Sequence, residues 1–182
     1  MILLTTSRRP TRAIRTLCSD LANSLPSVVR VNRGKMSLDG IAEKSIELET
    51  DRAVVVSRWS DGPGRITLFK LALTGLKPVP PIMLIAEVRF RREFKEKTRR
   101  FRSSAITIDT EDSSELEKIG DCLSRFFHLP VLRVEEATGK HGASMHFSFG
   151  SSRHPQIAFM LPERMVEIGP RITLSKLVWE VY

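Results

Sequence analysis

Four cations in two short loops are the residues of this chain best suited to do chemistry. Arg8 and Arg9 follow the apolar run Ile2-Leu3-Leu4-Thr5, and Arg33 and Lys35 follow Val28-Val29-Arg30-Val31. Each run reads as a β-strand, and each loop leads into a helix. If the two strands are parallel neighbours, both loops leave the same edge of one sheet. Arg8, Arg9, Arg33 and Lys35 then stand beside two helix N-termini, where backbone N–H groups already favour anions. Such a surface suits phosphate, and RNA phosphate is the expected ligand. The blander alternative is a solvated rim with helix-end electrostatics. It leaves unexplained why arginines stand where the helix macrodipole disfavours cations. Ser7, in the same loop, has no evident base beside it, so it reads as a phosphate contact and not as a nucleophile.

Charge distribution supports this reading. The 182 residues carry 29 Lys+Arg and 21 Asp+Glu, a net charge of +8. Residues 1–35 are net +6 and residues 86–102 net +5, whereas 36–85 are neutral and 103–182 net −3. Two segments therefore hold all the excess, which points to polyanionic partners rather than to diffuse basicity. The second segment is Arg89-Phe90-Arg91-Arg92-Glu93-Phe94-Lys95-Glu96-Lys97-Thr98-Arg99-Arg100-Phe101-Arg102. Arg91, Arg92, Lys95, Lys97, Arg99 and Arg100 are candidate RNA contacts. Glu93 and Glu96 offer local partners, and Phe90, Phe94 and Phe101 suit core packing better than base stacking.

The elements that must position these residues follow from periodicity. A helix from Pro10 to Leu25 buries Ile14, Leu17, Cys18, Leu21 and Leu25, with Arg12 off that face. Leu25-Pro26 ends it. Ser37 caps a second helix whose Leu38, Ile41, Ala42 and Ile46 should face inward. Val54-Val55-Val56 starts a buried strand, Trp59 to Gly64 is a turn, and Arg65 to Leu73 returns. If that first strand also runs parallel to the others, Arg58, Trp59 and Arg65 join the basic rim. Leu76 to Pro81 reads as a proline-containing link and Ile82 to Phe90 as a strand. Beyond the basic run come a strand over Ser104–Ile108, a helix over Ser113–Phe127 and a strand over Val131–Val134. Further strands are expected at Met145–Phe149, Ile157–Leu161 and Ile172 to about Val181. Gly169-Pro170-Arg171 reads as a turn, with Arg171 a further candidate for RNA.

A weak repeat runs through this pattern. Cys18 precedes Leu25-Pro26 by the spacing at which Cys122 precedes Leu129-Pro130. Each Leu-Pro leads to a strand with an Arg-Val pair, so two related β-α-β halves are expected. Their first loops differ: Ser7-Arg8-Arg9-Pro10 is basic, whereas Asp109-Thr110-Glu111-Asp112-Ser113 is acidic and repels phosphate. Nucleic acid should therefore use the first half.

Cys18 and Cys122 read as small buried hydrophobes within helices. No Cys, His or carboxylate spacing suggests a metal, no Gly-x-x-x-x-Gly-Lys loop occurs, and no cofactor is expected. With neither a secretory leader nor a membrane span in the pattern, a soluble, cytoplasmic protein is expected.

The chain resembles the Brix-domain family of ribosome-assembly factors. The matching pieces are Thr5-Thr6-Ser7-Arg8-Arg9-Pro10, Val31-Asn32-Arg33-Gly34-Lys35, Gly62-Pro63-Gly64-Arg65 and Ile168-Gly169-Pro170-Arg171-Ile172-Thr173-Leu174. The short form looks archaeal, and the nearest branch looks like the one that serves small-subunit rRNA processing with a small nucleolar ribonucleoprotein. The resemblance implies one Brix domain over 1–182, with an N-terminal half (1–85), a basic connection (86–102) and a C-terminal half (103–182). It implies an α/β fold of two halves with mixed sheets, similar to the anticodon-binding domain of class II aminoacyl-tRNA synthetases. It also implies non-catalytic binding of pre-rRNA, or of a guide-type small RNA, together with other assembly proteins. The competing classes are an RNA-modifying or nucleotide-dependent enzyme and a protein-interaction scaffold.

Overall fold

In a computed structural model the chain is α/β and divides into two units. The first comprises residues 1–22, 27–86 and 176–182, and the second 23–26 and 87–175. The structure describes residues 1–96, 101–109, 114–140 and 142–180. Lys97, Arg99 and Arg100, positions 110–113 of the acidic loop, His141 and the expected strand end at Val181 lie outside them.

In the first unit the order is β1 (Ile2–Thr6), α1 (Arg12–Ser24), β2 (Val28–Arg30), α2 (Leu38–Glu47), β3 (Arg52–Trp59), β4 (Gly62–Ala72) and β5 (Gly75–Arg89). The strands lie as β2-β1-β3-β4-β5. β1 runs parallel to both β2 and β3, while β4 and β5 are antiparallel additions. The chain thus leaves β1 toward one side and returns to the other. With right-handed crossovers, that reversal sends the two helices to opposite faces. Packing agrees. Ile41 of α2 clusters with Leu3, Ala53, Val55 and Phe69, on one face. Ile14 of α1 touches the alternate face at Gly64, where an added Cβ would lie 2.8 Å from its Cδ1. β1 is consequently buried on both sides, which is why it reads as an unbroken apolar run.

The second unit repeats the plan. Its elements are β6 (Ala105–Ile108), α3 (Ser114–Phe127), β7 (Val131–Leu132), α4 (Val134–Ala137), β8 (Ser144–Phe149), β9 (Pro155–Leu161) and β10 (Val166–Val178). β6 is parallel to β7 and β8, and β9 and β10 complete the order β7-β6-β8-β9-β10. One backbone bond fixes the correspondence: Ser7 N–H donates to Val56 at 2.9 Å in the first unit, and Asp109 N–H to Phe147 at 2.8 Å in the second.

Several expectations are corrected. The first helix starts at Arg12, two residues after Pro10, with the Thr11 hydroxyl accepting the Ile14 N–H at 3.2 Å. Leu38 and Ile46 are exposed, because the buried stripe of α2 is Ile41, Ala42 and Ser45. The supposed link Leu76–Pro81 is the first half of β5. Residues 80–82 there oppose Thr67 alone, so Pro80 and Pro81 occupy a bulge, where a missing N–H breaks no ladder bond. Gly169-Pro170 likewise sits in a register shift inside β10, not in a turn before it. Val134 opens α4 instead of ending a strand, since Glu136 folds back to accept the Arg133 N–H at 3.0 Å.

Candidate nucleic-acid interface

The carboxyl ends of β1 and β2 and the β3–β4 hairpin open into one cleft. Its volume is about 1100 Å³, and Ser7, Arg8, Arg9, Gly34, Lys35, Ser57, Arg58, Trp59, Ser60 and Arg65 line it. Five of these ten residues are cations and none is acidic. The cleft lies where β1 separates the two crossovers, the usual ligand position in open α/β sheets.

Local bonds explain how three separate loops meet there. Ser7 is tied to β3 by its backbone. The Thr5 hydroxyl donates to Val31 O at 2.8 Å, and Val31 N–H donates to Leu4 O at 2.9 Å, which joins the second loop to β1. Arg33 completes the fastening. Its Nε donates to Met36 O at 2.7 Å and its Nη1 to Thr6 O at 3.5 Å, and only 8% of the residue is exposed. Burial, then the neighbouring Arg8 charge, draw its pKa below the ordinary arginine value. Arg33 therefore braces the cleft from behind, whereas Arg8, Arg9, Lys35 and Arg58 are exposed. Gly34, at φ +52, makes the turn that separates inward Arg33 from outward Lys35. Arg65 is half-buried, with Nε donating to the Ser57 hydroxyl at 2.9 Å and its guanidinium 6.0 Å from the Trp59 ring. The Ser7 hydroxyl is buried and has no hydrogen-bond partner among the described residues.

Both helix N-termini at this edge are partly closed by their own caps, Thr11 as above and Ser37, whose hydroxyl accepts the Gly40 N–H at 3.1 Å. Each cap uses one amide, so side-chain cations dominate the field. Arg12 is exposed on the first turn of α1, outside the cleft lining.

The corresponding edge of the second unit has the opposite character. A smaller cleft of about 390 Å³ is lined by Ile108, Asp109, Glu117, Asp121, Val131, Leu132, Arg133 and Glu136, four carboxylates against one arginine. In the same unit Arg92 and Lys95 are exposed, and Arg91 is half-buried in a single 3₁₀ turn. Arg92 lies 5.3 Å from the Phe90 ring, and Phe94 is buried beneath Arg89 at 4.4 Å. Arg171 is engaged internally: it makes a two-pronged ion pair with Glu167, one bond at 2.7 Å, which raises its pKa.

Among the described residues no three His, Cys, Asp or Glu side chains gather as a metal-binding group, and no helix is long and apolar enough to cross a membrane. Ser57 and Ser60 complete the cleft lining but were not singled out by sequence, because only the three-dimensional meeting of the loops selects them.

No protein-family model matches the chain. A probable Brix domain-containing ribosomal biogenesis protein of Aeropyrum pernix is 27% identical over 182 residues, covering 93% of this chain and all of that one. Its counterpart from Pyrobaculum aerophilum is 26% identical, covering 72% of this chain and 70% of its own. The chain is a homologue of the archaeal Brix-domain proteins. Two solved structures share the fold of this chain. A probable ribosomal biogenesis protein from Aeropyrum pernix K1 superposes with a TM-score of 0.74 at 23% identity, over 97% of this chain and 98% of that one. An archaeal Imp4-like protein superposes with 0.64 at 22% identity, over 99% of both. The two α/β units of this chain carry edges of opposite charge.

Proposed function

We propose that this protein is a non-catalytic assembly factor that binds precursor rRNA, or a guide-type small RNA, through the basic cleft of its first unit. The carrying observation is the convergence of Arg8, Arg9, Lys35, Arg58 and Arg65 on one concave surface without a carboxylate among its lining residues. Contacts of this kind neutralise phosphates and hold a strand in place, but read no base sequence. The relatives' description as ribosomal biogenesis proteins supports the choice of RNA. Arg12 adds to the positive charge of the first unit, Arg91, Arg92 and Lys95 are further candidate contacts on the second, and Arg33 and Arg171 serve the architecture. The reading places the protein in the cytoplasm with other assembly proteins, and likens its fold to the anticodon-binding domain of class II synthetases.

Crosslinking in cells, followed by sequencing of the attached RNA, tests this reading. Enrichment of precursor rRNA or of a guide-type RNA is expected, and loss of that enrichment when Arg8, Arg9 and Lys35 are each changed to Glu. Enrichment of mature tRNA, or of no RNA, refutes it.

A further inference from the structure

The cleft holds one residue that phosphate binding does not require. Trp59 ends β3 and faces its cross-strand partner Gly62. A Cβ added to that glycine would lie 3.3 Å from the indole Cδ1, so the ring is seated against bare hairpin backbone. Arg65 stands 6.0 Å from the ring centre and is itself held by Ser57. The indole is thus fixed on two sides by groups that have little freedom, yet it remains half-buried in the wall of an open cleft. An indole that served only to fill the hairpin would not need five cations and no carboxylate around it.

Resting on the reading above, we propose that the cleft takes an unpaired stretch of RNA, with one base stacked on Trp59 and the flanking phosphates on Arg8, Arg9, Lys35 and Arg58. A basic groove combined with an aromatic platform is the chemistry that holds single strands, because every base has a π-face and the backbone supplies the charge. Duplex RNA fits poorly. Its bases are stacked on one another and offer no free face to a ring in the wall of a cleft, and its exposed features are phosphates and 2′-hydroxyls. The Arg65 guanidinium, 6.0 Å from the ring centre and over the ring, keeps a positive charge close to the stacked base.

The test compares a uridine- and adenosine-containing single strand with a blunt duplex carrying the same number of phosphates. Wild-type protein should prefer the single strand. Trp59→Ala should weaken single-strand binding by roughly 5- to 150-fold while leaving the salt dependence unchanged, with Trp59→Phe retaining most of the affinity. Trp59 and Trp179 are the two tryptophans of the chain. In a Trp179→Phe protein the emission of Trp59 should therefore be quenched by the single strand and not by the duplex, a readout that needs no change at Trp59 itself. Equal affinity of Trp59→Ala and wild type, or no quenching, with salt-dependent binding intact, overturns the stacking proposal and leaves the phosphate-binding cleft standing. Failure of wild-type protein to bind either RNA overturns both.

Discussion

Changing Arg8 and Arg9 together to alanine removes two of the five cations that line the cleft. Both side chains are exposed, so the substitution perturbs little of the packing beneath them. On a single strand, each neutralised phosphate contributes about −0.7 to the slope of log affinity against log salt. Four phosphate contacts, on Arg8, Arg9, Lys35 and Arg58, give a slope of about −2.8, and an approximately 50-fold loss of affinity when salt rises fourfold. With two contacts left, the slope falls to about −1.4 and the same rise in salt costs only about 7-fold. Fluorescence anisotropy of a labelled single-stranded rRNA fragment, titrated at several potassium chloride concentrations, reads the slope directly. The control carries Asp109→Asn, Glu117→Gln, Asp121→Asn and Glu136→Gln in the second unit's cleft, and its slope should match wild type. An unchanged slope for the double alanine variant, or an equal change in the control, would refute the assignment of phosphate contacts to the first unit.

Other perturbations separate architecture from binding. Arg33→Met removes the two bonds that fasten the first and second loops, and should cost about 1–3 kcal/mol of stability in a denaturant titration while leaving the salt slope intact. A reduced slope with unchanged stability would instead make Arg33 a direct contact. Gly64→Ala should lower the melting temperature by several degrees, because the new Cβ meets Ile14 at 2.8 Å and the Ser57 carbonyl at 3.1 Å; a melting curve unchanged from wild type contradicts the packing of α1 on this strand. Cys18 is buried, and desolvation raises its thiol pKa from 9.0 to about 11 despite the opposing effect of Arg30. The neutral thiol is favoured in the folded state, so its contribution is complete below pH 9 and is lost as pH rises toward 11. Cys18→Ala should therefore flatten the alkaline fall in stability by up to about 3 kcal/mol, and identical alkaline curves would contradict it.

The two helices follow from residue pattern, whereas parallel pairing of the first strands, a condition in the sequence reading, is given by their register. Val54-Val55-Val56 and Ile2-Leu3-Leu4 are apolar without alternation because helices cover both faces of β1 and β3. The prolines of β5 misled, since local chemistry marks Pro78, Pro80 and Pro81 as breakers and only the register with β4 shows the bulge that admits two of them. α2 misled for a related reason: Ser45 is the buried position and Ile46 the exposed one, which inverts what polarity suggests. At the site, Arg8, Arg9, Lys35, Arg58, Trp59 and Arg65 were visible as a sequence pattern of strand ends. The inward turn of Arg33 was not, because it depends on carbonyls of Thr6 and Met36 whose positions no neighbouring residue announces. Arg171 was read as available for the same reason, and Glu167, four residues back, occupies it.

Arg33 has one more consequence. The residue is 8% exposed and its guanidinium holds two backbone carbonyls, so a competing anion or counterion reaches it less readily than it reaches the open arginines. Mobile salt shields the exposed arginines and Lys35, but it shields this deeper charge far less. The floor thus supplies a standing positive bias, independent of what occupies the surface, and even a salt-crowded or partly loaded cleft retains a preferred sign of visitor.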